Sequence, residues 1–369
     1  MSASAMSTEM LDVLPRDVLP RLIETAQFNA DLADAHFAQA ATLCIYLLDM
    51  REYYRWLNAL PLDAKLPREH LGPWIAEQEA LWDTLRADGQ EQREYRPLDP
   101  AVSGDPFDTR SVHELLVSGG LVYGAGIGRF GRPLFFLAEC LRRETREGID
   151  IAVCGRELAR GSSAPPAMSR DAQVIVRRDA LERWLWTRYE EWRHHPRENG
   201  FVAAWLLHSG GVAPGDHPDP KAIVGRIADA EIETLILHEI GERRIDALVG
   251  DVWHDMIDDL GNRKLEVFAR SARDLLADCG HTLPTLLERG DMASLHCWFG
   301  LLDGMRLKFS PTLVAAYRAT GGKPDAALGR VLAEAAEHWQ GVCTQLVDHW
   351  QGGGSAAVQA LFDSGAVGH

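Results

Sequence analysis

The chain is short of positive charge, of paired cysteines and of long apolar runs, and each shortage removes a class of function. Lysine and arginine number 38 against 54 aspartates and glutamates, a formal charge of −16. That excess repels phosphate backbones, and no dense Lys/Arg run or basic–aromatic alternation offers a local exception, so nucleic acid is not an expected partner. The six cysteines, Cys44, Cys140, Cys154, Cys279, Cys297 and Cys343, include no CxxC pair. They imply neither a zinc ribbon nor a disulfide framework and read as reduced, mostly buried thiols. No apolar stretch is long enough to cross a bilayer, and Met1 to Met10 lacks the basic and apolar regions of a signal peptide. No membrane partner is expected, and the expected location is the cytoplasm. Neither a GxSxG elbow nor a P-loop occurs, so the sequence gives no case for Ser-His-Asp or P-loop chemistry.

What is present is globular. Apolar residues make up 46% of the 369 and charged residues 25%, an ordinary balance at a length that suits two subdomains or one large helical domain. The tandem Asp12-Val-Leu-Pro-Arg16 and Asp17-Val-Leu-Pro-Arg21 predicts an extended or turn-like lead-in, because each proline interrupts helix continuation. From Asn29 to Asn58 there is no Gly or Pro, and Phe37, Leu43, Leu47, Met50 and Tyr54 recur at helical spacing, which predicts one long helix. A second helix is expected over Glu69 to Arg86, with Trp74 and Trp82 on its buried side, followed by a linker or long loop through Tyr95 to Phe107.

In the middle, Leu121 to Tyr123, Leu134 to Leu137, Ile149 to Val153 and Val174 to Val176 are short apolar or β-branched runs between Gly, Arg and Pro. They predict the strands of a small antiparallel meander. After Arg178 the helical pattern returns, with Asp179 as a cap and Gly261, Gly280 and Gly290 as terminators. The expected fold is mainly α: a multi-helix protein with a small antiparallel β meander inserted in the middle. Its parts are an N-terminal helical region (1–118), the β insertion (119–178) and a C-terminal helical region (179–369).

The segment richest in chemistry is His238-Glu239-Ile240-Gly241-Glu242, where imidazole and carboxylate stand one helical turn apart. At about 100° per residue, Glu231, His238 and Glu242 share one stripe that continues into Ile245, Val249, Val252 and Trp253. Ionised carboxylates on a face that becomes core need a compensating partner, and a divalent metal is one. His254 and Asp258, again one turn apart, supply further donors if the helix breaks near Gly250 and folds back toward Glu242. Mixed His and carboxylate ligation suits iron, manganese or zinc. A competing arrangement pairs Glu239 with Arg243 on the surface, or replaces the metal by an arginine such as Arg243, Arg244, Arg270 or Arg273; Ile232, Ile236 and Ile240 offer a rival apolar face.

These five residues resemble the HExxH helix of zincin metallopeptidases, with Glu242 where that pattern has its second histidine. The resemblance covers the five residues alone, and it implies His238 as a ligand and Glu239 as general base. A carboxylate in place of the second imidazole favours a harder ion than zinc.

Gly126-Ile-Gly128-Arg-Phe-Gly131 matches GxGxxG after a strand-like run, so the segment 124–131 is a candidate ligand loop with Glu157 as its ribose-binding acid. Against this, Leu134-Phe-Phe-Leu137 reads as a strand rather than a helix. His36, Asp49, Glu52 and Tyr53 add polar groups to the first long helix, with His36 a further candidate donor. The expected function is a metal-dependent enzyme, hydrolytic or oxidative, acting on a small molecule or peptide. The other class is a non-catalytic helical adaptor for a protein partner, in which the HEIGE segment is a structural ion network.

Overall fold

The computed structural model describes residues 18–87, 94–170, 172–194, 200–213, 215–216, 219–250, 252–321 and 325–365. The chain divides into two compact units, Met1–Trp184 and Leu185–His369. Among the described residues no helix is long and apolar enough to cross a membrane.

The N-terminal unit begins with α1 (Val18–Phe37), α2 (Leu43–Leu57) and α3 (Arg68–Ala87), and a short α4 (His113–Ser118) leads into the sheet. The first copy of the Asp-Val-Leu-Pro-Arg tandem lies outside the described residues, whereas the second, from Val18 on, is the first turn of α1, where a proline costs no helical hydrogen bond. The single long helix expected over Asn29 to Asn58 is two helices. A short 3-10 turn over Ala38–Ala40 ends the first, and the Thr42 hydroxyl then accepts the Ile45 N–H to start the second. A threonine cap makes the break that glycine and proline do not. The Tyr95 to Phe107 stretch is a packed loop: Arg96 exchanges two 2.7 Å hydrogen bonds with the Asn29 side chain, and Tyr95 and Phe107 meet Phe135.

Five strands follow: β1 (Leu121–Ile127), β2 (Pro133–Arg146), β3 (Ile149–Arg160), β4 (Ala167–Arg170) and β5 (Gln173–Arg177), ordered β1-β2-β3-β5-β4. The sheet is mixed rather than a simple antiparallel meander, because β5 pairs parallel with β3. Leaving β3, the chain runs to the edge as β4 and returns as β5, antiparallel to it, into the slot beside β3. Val174, Ile175 and Val176 are all buried, as a strand covered on both faces requires.

This topology removes the dinucleotide reading of 124–131. Gly124 and Gly126 lie inside β1, and the chain turns through residues 128–132 into a strand rather than a helix. A Cβ at Gly124 would sit 2.0 Å from the Phe136 ring, so this glycine makes room for an aromatic side chain on the neighbouring strand. Glu157 is buried between Arg177 (Nε–Oε1 2.6 Å) and Arg160 (Nη1–Oε2 3.2 Å), which leaves no acid for a ribose.

The C-terminal unit is helical. After α5 (Arg178–His194) come α6 (Gly200–Ser209), the long α7 (Pro220–Val249), α8 (Val252–Asp259) and α9 (Arg263–Ala277). A π-helical turn over Asp278–Thr282 joins α9 to α10 (Leu283–Arg289). Then come α11 (Met292–Leu301), α12 (Gly304–Phe309), α13 (Pro311–Ala319) and α14 (Ala326–Asp363). Gly290 caps α10 with φ 67°, as a terminating glycine should. Gly280 does not terminate: it lies within the π turn. A large apolar cluster holds the unit together, including Trp253, Phe268, Leu275, Leu286, Leu332 and Trp339.

Candidate metal centre

α7 is covered on both of its apolar faces: Ile236 and Ile240 are buried, and so is Ile245. Its contact with α9 is close because Gly241 has no side chain. A Cβ at Gly241 would lie 3.0 Å from the Ala277 carbonyl oxygen and 3.2 Å from the Ala277 Cα. Two helix backbones therefore approach at the centre of the HEIGE segment, and the polar side chains flanking Gly241 reach the opposite element.

That element carries acids one turn apart, Asp274 near the end of α9 and Asp278 at the start of the π turn. Single π turns inside α-helices are rare and recur at functional sites because the wider turn displaces side chains from α-helical register. Here the turn begins at the residue that meets the histidine. His238 Nδ1 lies 2.8 Å from Asp278 Oδ1, and His238 Nε2 is 3.6 Å from Glu242 Oε1. His238, Glu242 and Asp274 each offer a donor atom, and the three atoms lie within 4.8 Å of one another. Donors bound at about 2.0–2.2 Å around one ion have separations within this range.

The charges around the three donors are strongly coupled. Burial opposes protonation of His238, but the Asp278 carboxylate, then Glu242, outweigh it and hold the imidazole well above the ordinary histidine range. Burial likewise opposes ionisation of Glu242, yet Arg273 and His238 hold this carboxyl well below its ordinary value. Arg273 spans two acids of α7, with Nη1 3.2 Å from Glu242 Oε2 and Nη2 2.7 Å from Asp246 Oδ1. Asp278 is 1% exposed. Its Oδ2 makes no hydrogen bond, and the Arg306 guanidinium stands 3.6 Å away. Arg273, one of the arginines anticipated as a substitute for a metal, is thus in contact with a proposed ligand.

The other anticipated donors lie elsewhere. Glu231 is buried on α7 two turns before His238, beside Thr234, Ser294 and Cys297, and burial pushes its carboxyl up to about 7. The break near Gly250 is real, since α7 ends at Val249 and Gly250 has φ 65°. It does not fold His254 and Asp258 back, because α8 turns Trp253, Met256 and Ile257 inward and leaves both donors exposed. The structure therefore does not bring Glu231, His254 or Asp258 into the cluster. Glu239 is buried next to the donors and acts electrostatically on Arg273. Asp274 and Asp278 carry a signal in the sequence, an i, i+4 acid pair around Leu275, Leu276 and Ala277, but nothing local links them to His238.

The N-terminal unit holds a second polar cluster. Asp34, 2% exposed, accepts the Ser162 N–H at 2.6 Å and pairs with Arg132 at 2.5 Å. Tyr53 and Gln27 donate to Asp31 at 3.3 and 3.1 Å. Burial, with Asp34 nearby, pushes Asp31 up to about 7. His36 is exposed.

Two family models match the chain. Residues 21–177 match the N-terminal domain of a family of unknown function (DUF6866), and residues 182–364 match its C-terminal domain. The chain thus carries both domains of that family, and the His238 cluster belongs to the second. No curated protein and no solved structure matches.

Proposed function

We propose that the C-terminal unit is a metal-dependent catalytic domain that holds one divalent cation between His238 Nε2, Glu242 and Asp274. A single observation carries this reading: one imidazole nitrogen is engaged by Asp278 at 2.8 Å, while two carboxylates lie within ligand spacing of the other donors. Metal-binding histidines are commonly oriented in this way, with a carboxylate on the nitrogen that does not bind the ion. One imidazole and two carboxylates suit iron, manganese or zinc, and three protein ligands leave positions for water or substrate. The cation supplies Lewis acidity and lowers the pKa of bound water. Glu239 is the buried carboxylate adjoining the set, and we assign it the role of general base in hydrolysis of a small molecule or peptide in the cytoplasm.

The contact between Arg273 and Glu242 at 3.2 Å favours a second reading, in which these side chains form a structural ion network inside a non-catalytic adaptor that engages a protein partner. Elemental analysis of protein purified without added metal, beside Glu242→Ala, separates the two. Stoichiometric metal in the parent and its loss in the variant support the metal centre. No metal in either, with a less stable variant, supports the network. On the hydrolytic reading, Glu239→Gln retains metal and loses activity; loss of metal instead would remove Glu239 from the base role.

A further inference from the structure

We propose that Cys140 and Cys154 are a redox-modifiable pair that closes to a disulfide across β2 and β3 when the protein meets a disulfide oxidant. The two residues are register partners in the antiparallel β2–β3 ladder, so their side chains leave the same face of the sheet. They share one small apolar cluster with Val122, Phe136, Ala138 and Ala152. The Cys140 N–H donates to the Gly120 carbonyl at 2.8 Å, on the β1 side. A strand residue directs its N–H and C=O to the same neighbour, so Cys140 and Cys154 form a non-hydrogen-bonded pair. That class brings Cα atoms to about 4.5 Å, inside the roughly 4.4–6.8 Å span of disulfides. Register shifts flank Cys140 on both sides, and bulges of this kind increase local twist and bend the strand that carries them.

The two thiols differ in access. Both are unpaired, Cys140 half-buried and Cys154 buried. Burial pushes the Cys140 thiol up while neighbouring Arg143 opposes that rise. Cys140 is therefore the entry point. Its thiolate attacks oxidised glutathione, forming the Cys140–glutathione bond and releasing one glutathione thiolate. The Cys154 sulfur then attacks the Cys140 sulfur and expels the second. Both cysteine protons pass to the glutathione leaving groups, so two thiols are oxidised as one glutathione disulfide is reduced. The product closes the β2–β3 hairpin around its Glu147-Gly148 turn.

The test is peptide mapping without reduction, after native protein carrying Cys44→Ser is treated with oxidised glutathione and alkylated. A Cys140–Cys154 linked peptide is expected, with an intact mass lower by two hydrogens and no retained glutathione. Adding Cys154→Ser should halt the reaction at the Cys140–glutathione adduct, which also shows that Cys140 remains reactive in the variant. A parent protein that ends at that adduct, or in which both cysteines are alkylated, would overturn the proposal.

Discussion

Burial makes a carboxyl group resist ionisation, and at Glu231 it outweighs the hydrogen bonds from Thr234, Ser294 and Cys297, which favour the charged form. Burial pushes this carboxyl up to about 7 from the ordinary glutamate value of 4.5, so the folded state holds a proton that the unfolded chain releases between these values. The group's contribution to stability is full below the unfolded pKa and is lost as pH rises through about 7. Glu231→Gln should nearly match the parent at about pH 4 and exceed it at about pH 8 by roughly 1–3 kcal/mol, read by urea unfolding at both pH values. A variant that is no more stable at pH 8 would mean that Glu231 ionises as readily in the folded protein as in the unfolded chain. Asp34 is also buried, and it is paired with Arg132. Asp34→Ala leaves that guanidinium without its partner and should cost about 3–5 kcal/mol, measurable in the same assay; a loss below 1 kcal/mol would contradict the pairing. At the candidate centre, Asp278→Asn weakens the hold on His238 Nδ1, and calorimetric titration with Mn²⁺ should show affinity reduced about 10- to 100-fold. Unchanged affinity would remove Asp278 from its positioning role.

Gly241 and the π turn at Asp278–Thr282 act together as elements. The glycine allows α7 to approach α9, and the turn sets Asp278 against the histidine. A methyl group at 241 forces the backbones apart by a few tenths of an ångström, so Gly241→Ala should cost about 1–3 kcal/mol. It should also weaken Mn²⁺ binding, although no donor is altered. Retained stability and affinity would show that the approach of α7 to α9 is not what assembles the donors. Helical spacing was enough to pair His238 with Glu242, because they are neighbours on one helix. The same periodicity misplaced Glu231: angular agreement ignores the rise of about 1.5 Å per residue, which separates positions seven apart by roughly 10 Å. His254 and Asp258 failed for another reason, since the apolar residues Trp253, Met256 and Ile257 determine which face of α8 turns inward. Asp274 and Asp278 could not be joined to His238 by local spacing, because tertiary packing and a non-α turn connect them. In the sheet, the four anticipated runs all became strands, but their pairing did not follow chain order. The short β4 could not be read from its own residues, Ala167–Arg170, and its edge position makes β5 parallel to β3.

For the whole molecule, composition carried the charge balance and with it an expectation about partners, whereas fold topology and the assembled polar clusters emerged only in three dimensions. The two units also distribute buried charge differently. The N-terminal unit satisfies Asp34 and Glu157 through arginines and main-chain donors, so these two acids are already offset within the domain. The C-terminal unit gathers Glu242, Asp246, Asp274 and Asp278 around His238, Arg243, Arg273 and Arg306, so the acids outnumber the cations once His238 is neutral, the form in which an imidazole binds a metal. The most direct test is a crystal structure of the full chain soaked in Mn²⁺, with anomalous differences recorded for manganese. The account predicts one strong peak in ligand contact with His238 Nε2, Glu242 and Asp274, at about 2.0–2.2 Å, with Asp278 still bound to Nδ1. A map with no peak there, in which Arg273 continues to occupy Glu242, would contradict it.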